Sequence, residues 1–187
     1  MPAPTPAAPT DRQVHGWEAR ETVRATSRRT LRRVAPVLAA GAALTGCSSS
    51  VEVPVAPYAD DPVCARVILA LPDVLAGADR VSTTSQGTAA WTAGEPGDAI
   101  TLRCGVEPLP PTTEQCVTVA DDRGRSVDWV AVPGDESTRT PWRFTTYGRL
   151  PAVEVVVPSS VPPDRAQSLL VDLGEAASHA KQSRACL

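Results

Sequence analysis

The chemistry within reach of this chain of 187 residues rests first on its cysteines, at positions 47, 64, 104, 116 and 186. None stands in a CxxC spacing, and neither His15 nor His179 is placed to complete a cluster with them. That pattern argues against a zinc site, which takes closely spaced Cys and His ligands. Cys47 has surroundings of its own. Setting it aside leaves Cys64, Cys104, Cys116 and Cys186, an even number that suits two disulfides in an oxidising compartment.

Cys47 ends the stretch "AALTGCSSS", residues 42–50. Upstream, "RRTLRR" at 28–33 is a positive block, and Val34 to Leu44 carries no charge. Such a run is too short to span a bilayer and fits the apolar part of a secretory signal, with the arginines held on the cytoplasmic side. Leu44-Thr45-Gly46-Cys47 resembles a bacterial lipobox. The resemblance implies cleavage between Gly46 and Cys47 and a diacylglycerol with palmitate-type chains on the Cys47 sulfur. Two acyl chains anchor stably where one binds only marginally. The expected location is therefore the cell membrane, lipid-anchored on its extracytoplasmic side. Residues 1–27, rich in Pro, Ala, Thr and Arg without hydrophobic period, read as a disordered leader; initiation further along, at Val23, would remove it. Ser27 to Leu31 has a twin-arginine look, but Arg32 stands where an apolar residue belongs, so the general export route is expected.

No catalytic set emerges. A Ser-His-Asp arrangement would depend on His179, near the end of the last predicted helix, and a Ser-Lys dyad on Lys181, in the exposed-looking "HAKQSR". The carboxylate pairs Asp60-Asp61, Asp121-Asp122 and Asp135-Glu136 fall at a predicted cap or in turns, where Asp bonds backbone N–H groups. Asp121-Asp122 lacks the ligand spacing of a calcium loop, and no glycine motif cradles a phosphate. The sequence thus implies no metal and no cofactor. Among the rings, Trp91, Trp129, Trp142, Phe144 and Tyr147 are nearly all the large ones downstream of Cys47. Trp91 in a predicted loop and Tyr147 and Arg149 at a strand end form a candidate binding surface, since Trp and Arg are favoured at hot spots. The plainer alternative is that the rings fill a core otherwise built of Ala, Val and Leu.

Charge narrows the partners. Seven of the 18 basic and three of the 21 acidic residues precede Cys47, which leaves about −7 on residues 47–187. An acidic surface argues against nucleic acid.

The elements that must position these residues read as follows. Residues 47–61 form a flexible tether, and 62–187 form a single globular domain. Asp61 and Pro62 open a helix with Cys64, Val67, Ile68, Leu71 and Leu75 on its apolar face. Residues 77–99 are mostly loop. Five strands follow in "AITLRCGV", "CVTVAD", "SVDWVAV", "WRFTTYG" and "AVEVVV", with "DDRGR" as a hairpin turn. Ile100, Leu102, Cys104 and Val106 share one face. A last helix over 165–180, capped by Asp164, carries Ala166, Leu169, Leu170, Leu173 and Ala177. The fold class is α+β, two-layer: an antiparallel meander of about five strands with the N-terminal and C-terminal helices packed on one face. Facing favours Cys64 with Cys104 and Cys116 with Cys186. The rival is Cys104 with Cys116 and Cys64 with Cys186, because the direction of Cys116 is ambiguous.

The segments "CARVILALP", "AAWTAGEPGDAITLRCGV", "CVTV…VDWV" and "FTTYGRLPAVEVVVP" together resemble the actinobacterial domain-of-unknown-function 3515 family, over roughly residues 62–175. The resemblance implies a secreted or lipid-anchored envelope protein and brings no activity with it. The expectation is a non-enzymatic binding or assembly module whose partner is an envelope protein or cell-wall component. The competing class is a hydrolase acting on the cell wall.

Overall fold

The computed structural model describes residues 50–92 and 98–186. The expected leader, the signal and the Gly46–Cys47 junction lie outside the described residues.

Asp61 caps the first helix by accepting the Val63 N–H at 2.7 Å. Pro62 takes the first position, where its missing N–H costs nothing, and α1 runs Pro62–Leu69. It stops short of Leu71 and Leu75, because Pro72 cannot continue a helix. Arg80 donates from Nη2 to the Ile68 carbonyl at 3.0 Å and so satisfies one orphan acceptor of the helix end. Leu75 belongs instead to β1 (Val74–Leu75). The chain reverses through Ala76 (φ 52°) and Gly77 (φ 83°) into β2 (Ala78–Val81). Two successive left-handed residues make the tight hairpin that matches strand twist. β3 (Thr88–Thr92) follows. Residues 77–99, expected as loop, therefore supply two strands; Gly77 stands in the turn before β2 and Gly87 in the turn before β3.

β4 (Ile100–Val106), β5 (Gln115–Ala120), β6 (Ser126–Val132), β7 (Trp142–Thr146) and β9 (Ala152–Val157) coincide with the five expected strand segments, and a short β8 (Arg149–Leu150) precedes β9. Their arrangement is not a five-stranded meander. The sheet has eight strands in the order β1-β2-β3-β4-β9-β7-β6-β5, all antiparallel. β9 is inserted between β4 and β7 and joins two smaller meanders. The physical reason is in "AVEVVV": a strand with so few polar positions is suited to burial on both faces, and Ala152 to Glu154, Val155 and Val157 are all buried.

The C-terminal helix is also divided. α2 (Pro163–Asp172) begins after Pro162 rather than at an Asp164 cap, and α3 (Gly174–Ser178) follows a break at Leu173. β10 (Lys181–Gln182) then pairs with β8.

The main core brings Cys64 and Val67 of α1, Leu169 and Leu170 of α2 and Ala176 of α3 together with one face of the sheet, including Trp91, Leu102, Trp129, Phe144 and Val155. Residues 51–61, read from sequence as tether, lie against the opposite face. Val51 and Val53 cover Ala90, and Ala56 and Ala59 cover Val106 and Ala152. Val106 faces this second layer, not the face of Cys104, because the strand bulges between the two. Gly105 at φ 92° makes that bulge, and a Cβ there would stand 2.3 Å from the Tyr58 carbonyl carbon. Its Cα is therefore in direct apposition to the docked N-terminal segment.

Candidate functional site

The sheet face opposite the main core carries a row of residues in register across five strands: Arg103, Glu154, Thr145, Val130 and Cys116. Two polar centres are built on this face. At the first, Glu154 on the central strand is held by two arginines. Its Oε1 accepts from Arg103 Nη2 at 2.6 Å and Nε at 3.0 Å, and its Oε2 from Arg143 Nη1 at 2.6 Å. The Glu154 side chain is only 10% exposed, against 46% for Arg143. This trio was not picked out in the sequence, although a lone acidic residue inside a valine run is the kind of signal that marks a paired buried charge.

The second centre is Asp128 on β6, which is buried. Oδ1 accepts from Thr118 Oγ1 at 2.6 Å; Oδ2 accepts from Gln182 Nε2 at 3.0 Å and from the Cys186 N–H at 2.9 Å. The segment Lys181–Cys186 is thus tied to the sheet through one carboxylate. Arg149 stands beneath it. Its Nη1 donates to the Ala180 carbonyl at 2.6 Å and its Nη2 to the Ser126 carbonyl at 2.8 Å. Burial lowers the pKa of this guanidinium, and the Asp128 charge works against that shift. Arg149 Nε has no partner.

Of the three residues expected at a binding surface, two are structural. Trp91 lies in β3 rather than in a loop, fully buried, with Nε1 donating to the Pro72 carbonyl at 2.9 Å. Arg149 is buried, as just described. The sequence places a Trp and an Arg but not the strand that buries the one or the tail that covers the other. Tyr147 alone is half-buried at the surface. It lines a cavity of about 620 Å³ with Thr112, Glu114, Arg184, Cys116 and Cys186.

The four cysteines are joined as Cys64–Cys104 and Cys116–Cys186, with Cα separations of 5.4 and 6.1 Å, both within ordinary disulfide spacing. The first bridge ties α1 to β4 inside the core. The second ties edge strand β5 to the tail. Cys116 shares the face of Val130 and Asp128, which resolves its direction.

One member of each acidic pair does local work. Asp61 caps α1. Asp121 accepts from the Arg123 and Arg125 N–H groups at 2.9 and 2.8 Å and from Arg125 Nε at 2.6 Å. Asp135 Oδ1 accepts from Ser137 N–H at 2.8 Å. His179 and Lys181 are exposed. Among the described residues no group of His, Cys, Asp and Glu is arranged to hold a metal, and no helix is long and apolar enough to cross a membrane. A cavity of about 740 Å³, bounded by Asp98, Glu136, Arg139 and Ser159, takes in Glu136 of the pair Asp135-Glu136 but none of Trp91, Tyr147 and Arg149.

Fold and site define an antiparallel α+β domain, twice bridged, with Asp128, Arg149 and Glu154 buried in hydrogen-bonded networks. The chain belongs to the family described as protein of unknown function (DUF3515), whose model matches residues 31–186. No curated protein and no solved structure gives a significant match.

Proposed function

We propose that the chain is a lipid-anchored protein of the cell envelope, displayed on the outer face of the cytoplasmic membrane, where it acts as a non-enzymatic binding or assembly module. The observation that carries this reading is Leu44-Thr45-Gly46-Cys47 at the end of an arginine-led apolar run. Two disulfides in one small domain support an oxidising compartment. The family match also begins at residue 31, so it takes in the apolar run and Cys47 as well as the folded domain. A binding role is favoured over wall hydrolysis because Asp61, Asp121 and Asp135 are engaged in capping and turns.

The test is metabolic labelling of the full chain in a bacterial host with a palmitate analogue. The native chain should take up label and sediment with membranes, and Cys47→Ala should lose both. An unacylated mature N-terminus at another residue of the native protein would overturn the reading. Cross-linking in the same membranes then reports whether a stable partner is present.

A further inference from the structure

The two disulfides stand in opposite environments. Cys64 and Cys104 are buried among Val67, Leu102 and the core. Cys116 and Cys186 are half-buried, and both line the 620 Å³ cavity beside Tyr147. Thiol–disulfide exchange needs an incoming thiolate to reach a bridge sulfur; Cys64 also borders a cavity, of about 430 Å³, but it is 1% exposed and Cys104 not at all, so the accessible bridge is Cys116–Cys186. We propose that Cys116–Cys186 is a thiol–disulfide exchange site for a dithiol protein of the oxidoreductase class, and that its reduction releases the segment Lys181–Cys186 from the sheet.

The electron balance is that of ordinary exchange. A partner thiolate attacks one sulfur of the bridge. The Cys116–Cys186 bond breaks, a mixed disulfide forms, and the other cysteine leaves as a thiolate that takes a proton from solvent. The partner's second thiolate attacks the mixed disulfide, which leaves both cysteines as thiols and the partner as a disulfide. Two electrons pass from partner to bridge.

Besides the bridge, the segment beyond Gln182 is fastened by polar contacts. The Ser183 N–H and Oγ donate to the Gly148 carbonyl at 2.6 and 2.9 Å and the Arg184 N–H to the same oxygen at 3.4 Å; Gln182 Nε2 donates to the Arg184 carbonyl at 3.0 Å, and the Cys186 N–H donates to Asp128. From Lys181 to Ala185 every residue is exposed, so apolar burial contributes little to holding it. The segment covers a charged pair, Asp128 and Arg149, each with most of its hydrogen bonds directed to that segment or to Ala180 just before it. Reduction would therefore present a carboxylate, a guanidinium and the pairing edge of β8 to solvent, while the core bridge keeps the rest of the domain closed.

The experiment titrates the oxidised full chain with dithiothreitol, traps free thiols with iodoacetamide and maps them by mass spectrometry. Hydrogen exchange is followed in parallel. Cys116 and Cys186 should become alkylated at least about tenfold faster than Cys64 and Cys104, since the buried pair must await opening of the core. The Ser183 and Cys186 amides should lose protection at the same time, with the amides of β4 and β9 unchanged. The double variant Cys116→Ser with Cys186→Ser should show the same loss without reductant. Equal rates at the two bridges, or retained protection at Ser183 and Cys186 after selective reduction or in the double variant, would overturn the proposal.

Discussion

The Cys186 N–H donates to Asp128 Oδ2 at 2.9 Å, so a residue of the tail and a carboxylate on β6 meet across 58 positions of sequence. The other oxygen of the same carboxylate is taken by Thr118. Asp128 therefore links three separate segments from beneath the tail. Hydrogen bonds to a buried charge are among the stronger ones. Asp128→Asn keeps the shape and removes the charge, and it should lower stability by about 1.5–3 kcal/mol. Urea unfolding with both disulfides intact measures this, and the Cys186 amide should exchange faster in the variant.

Glu154 and its two arginines give a graded prediction. Glu154→Ala leaves Arg103 and Arg143 together on the central strands without a counter-charge and should cost about 3 kcal/mol. Arg143 is 46% exposed, so Arg143→Ala should cost only about 1 kcal/mol or less. Equal costs for the two variants in denaturant unfolding would contradict the view that Glu154 is the anchor and Arg143 its outer partner.

Acid should destabilise the domain in a defined window. For Asp121 burial works to raise the carboxyl pKa, but hydrogen bonds from the Arg125 side chain and the Arg125 and Arg123 backbone, with the Arg125 charge, hold it below the ordinary 3.8. For Asp135 the Ser137 hydroxyl and N–H do the same. The unfolded chain therefore takes up protons at a higher pH than the folded one, and stability falls as pH drops. Full stabilisation is present above the ordinary value and is lost as pH descends through the lowered values. Thermal melts from pH 6 to about pH 2 should show the decline beginning near pH 4, and Arg125→Met should soften it.

What the sequence made legible follows from where the patterns are strong. β4, β6 and β9 announce themselves by β-branched and alternating residues, and Asp61-Pro62 fixes the start of α1. The turn at Asp121–Arg125 is equally plain, with its Asp and Gly. The position of β9 was not legible, because strand order depends on which edges meet, and a run such as "AVEVVV" tells of burial on two faces without naming the neighbours. β2 and β3 were hidden by short length and by Ala, Thr and Asp, which carry weak strand preference. That concealment misplaced Trp91, since a Trp in a loop and a Trp in a short buried strand look alike. The bulge at Gly105 reversed Val106 for a similar reason: alternation counts residues and does not register an inserted one. The cysteine pairing was approachable because Cys64 and Cys104 each sat on a face already defined by neighbours.

The late arrival of β9 has a consequence for how the molecule is made. β4 is complete at residue 106 and β7 at 146, yet each has one edge that waits for a strand beginning at residue 152. In a chain delivered from its N-terminus, residues 50–146 can pair only as two half-sheets, each with one border open until β9 follows. Such borders are templates for pairing with other copies. The keystone that closes them is also the strand that carries Glu154, so the last piece to be inserted brings with it the one charge able to settle Arg103 and Arg143. Arg103 and Arg143 stand on the two borders that β9 joins, and like charges facing each other there disfavour pairing β4 directly with β7.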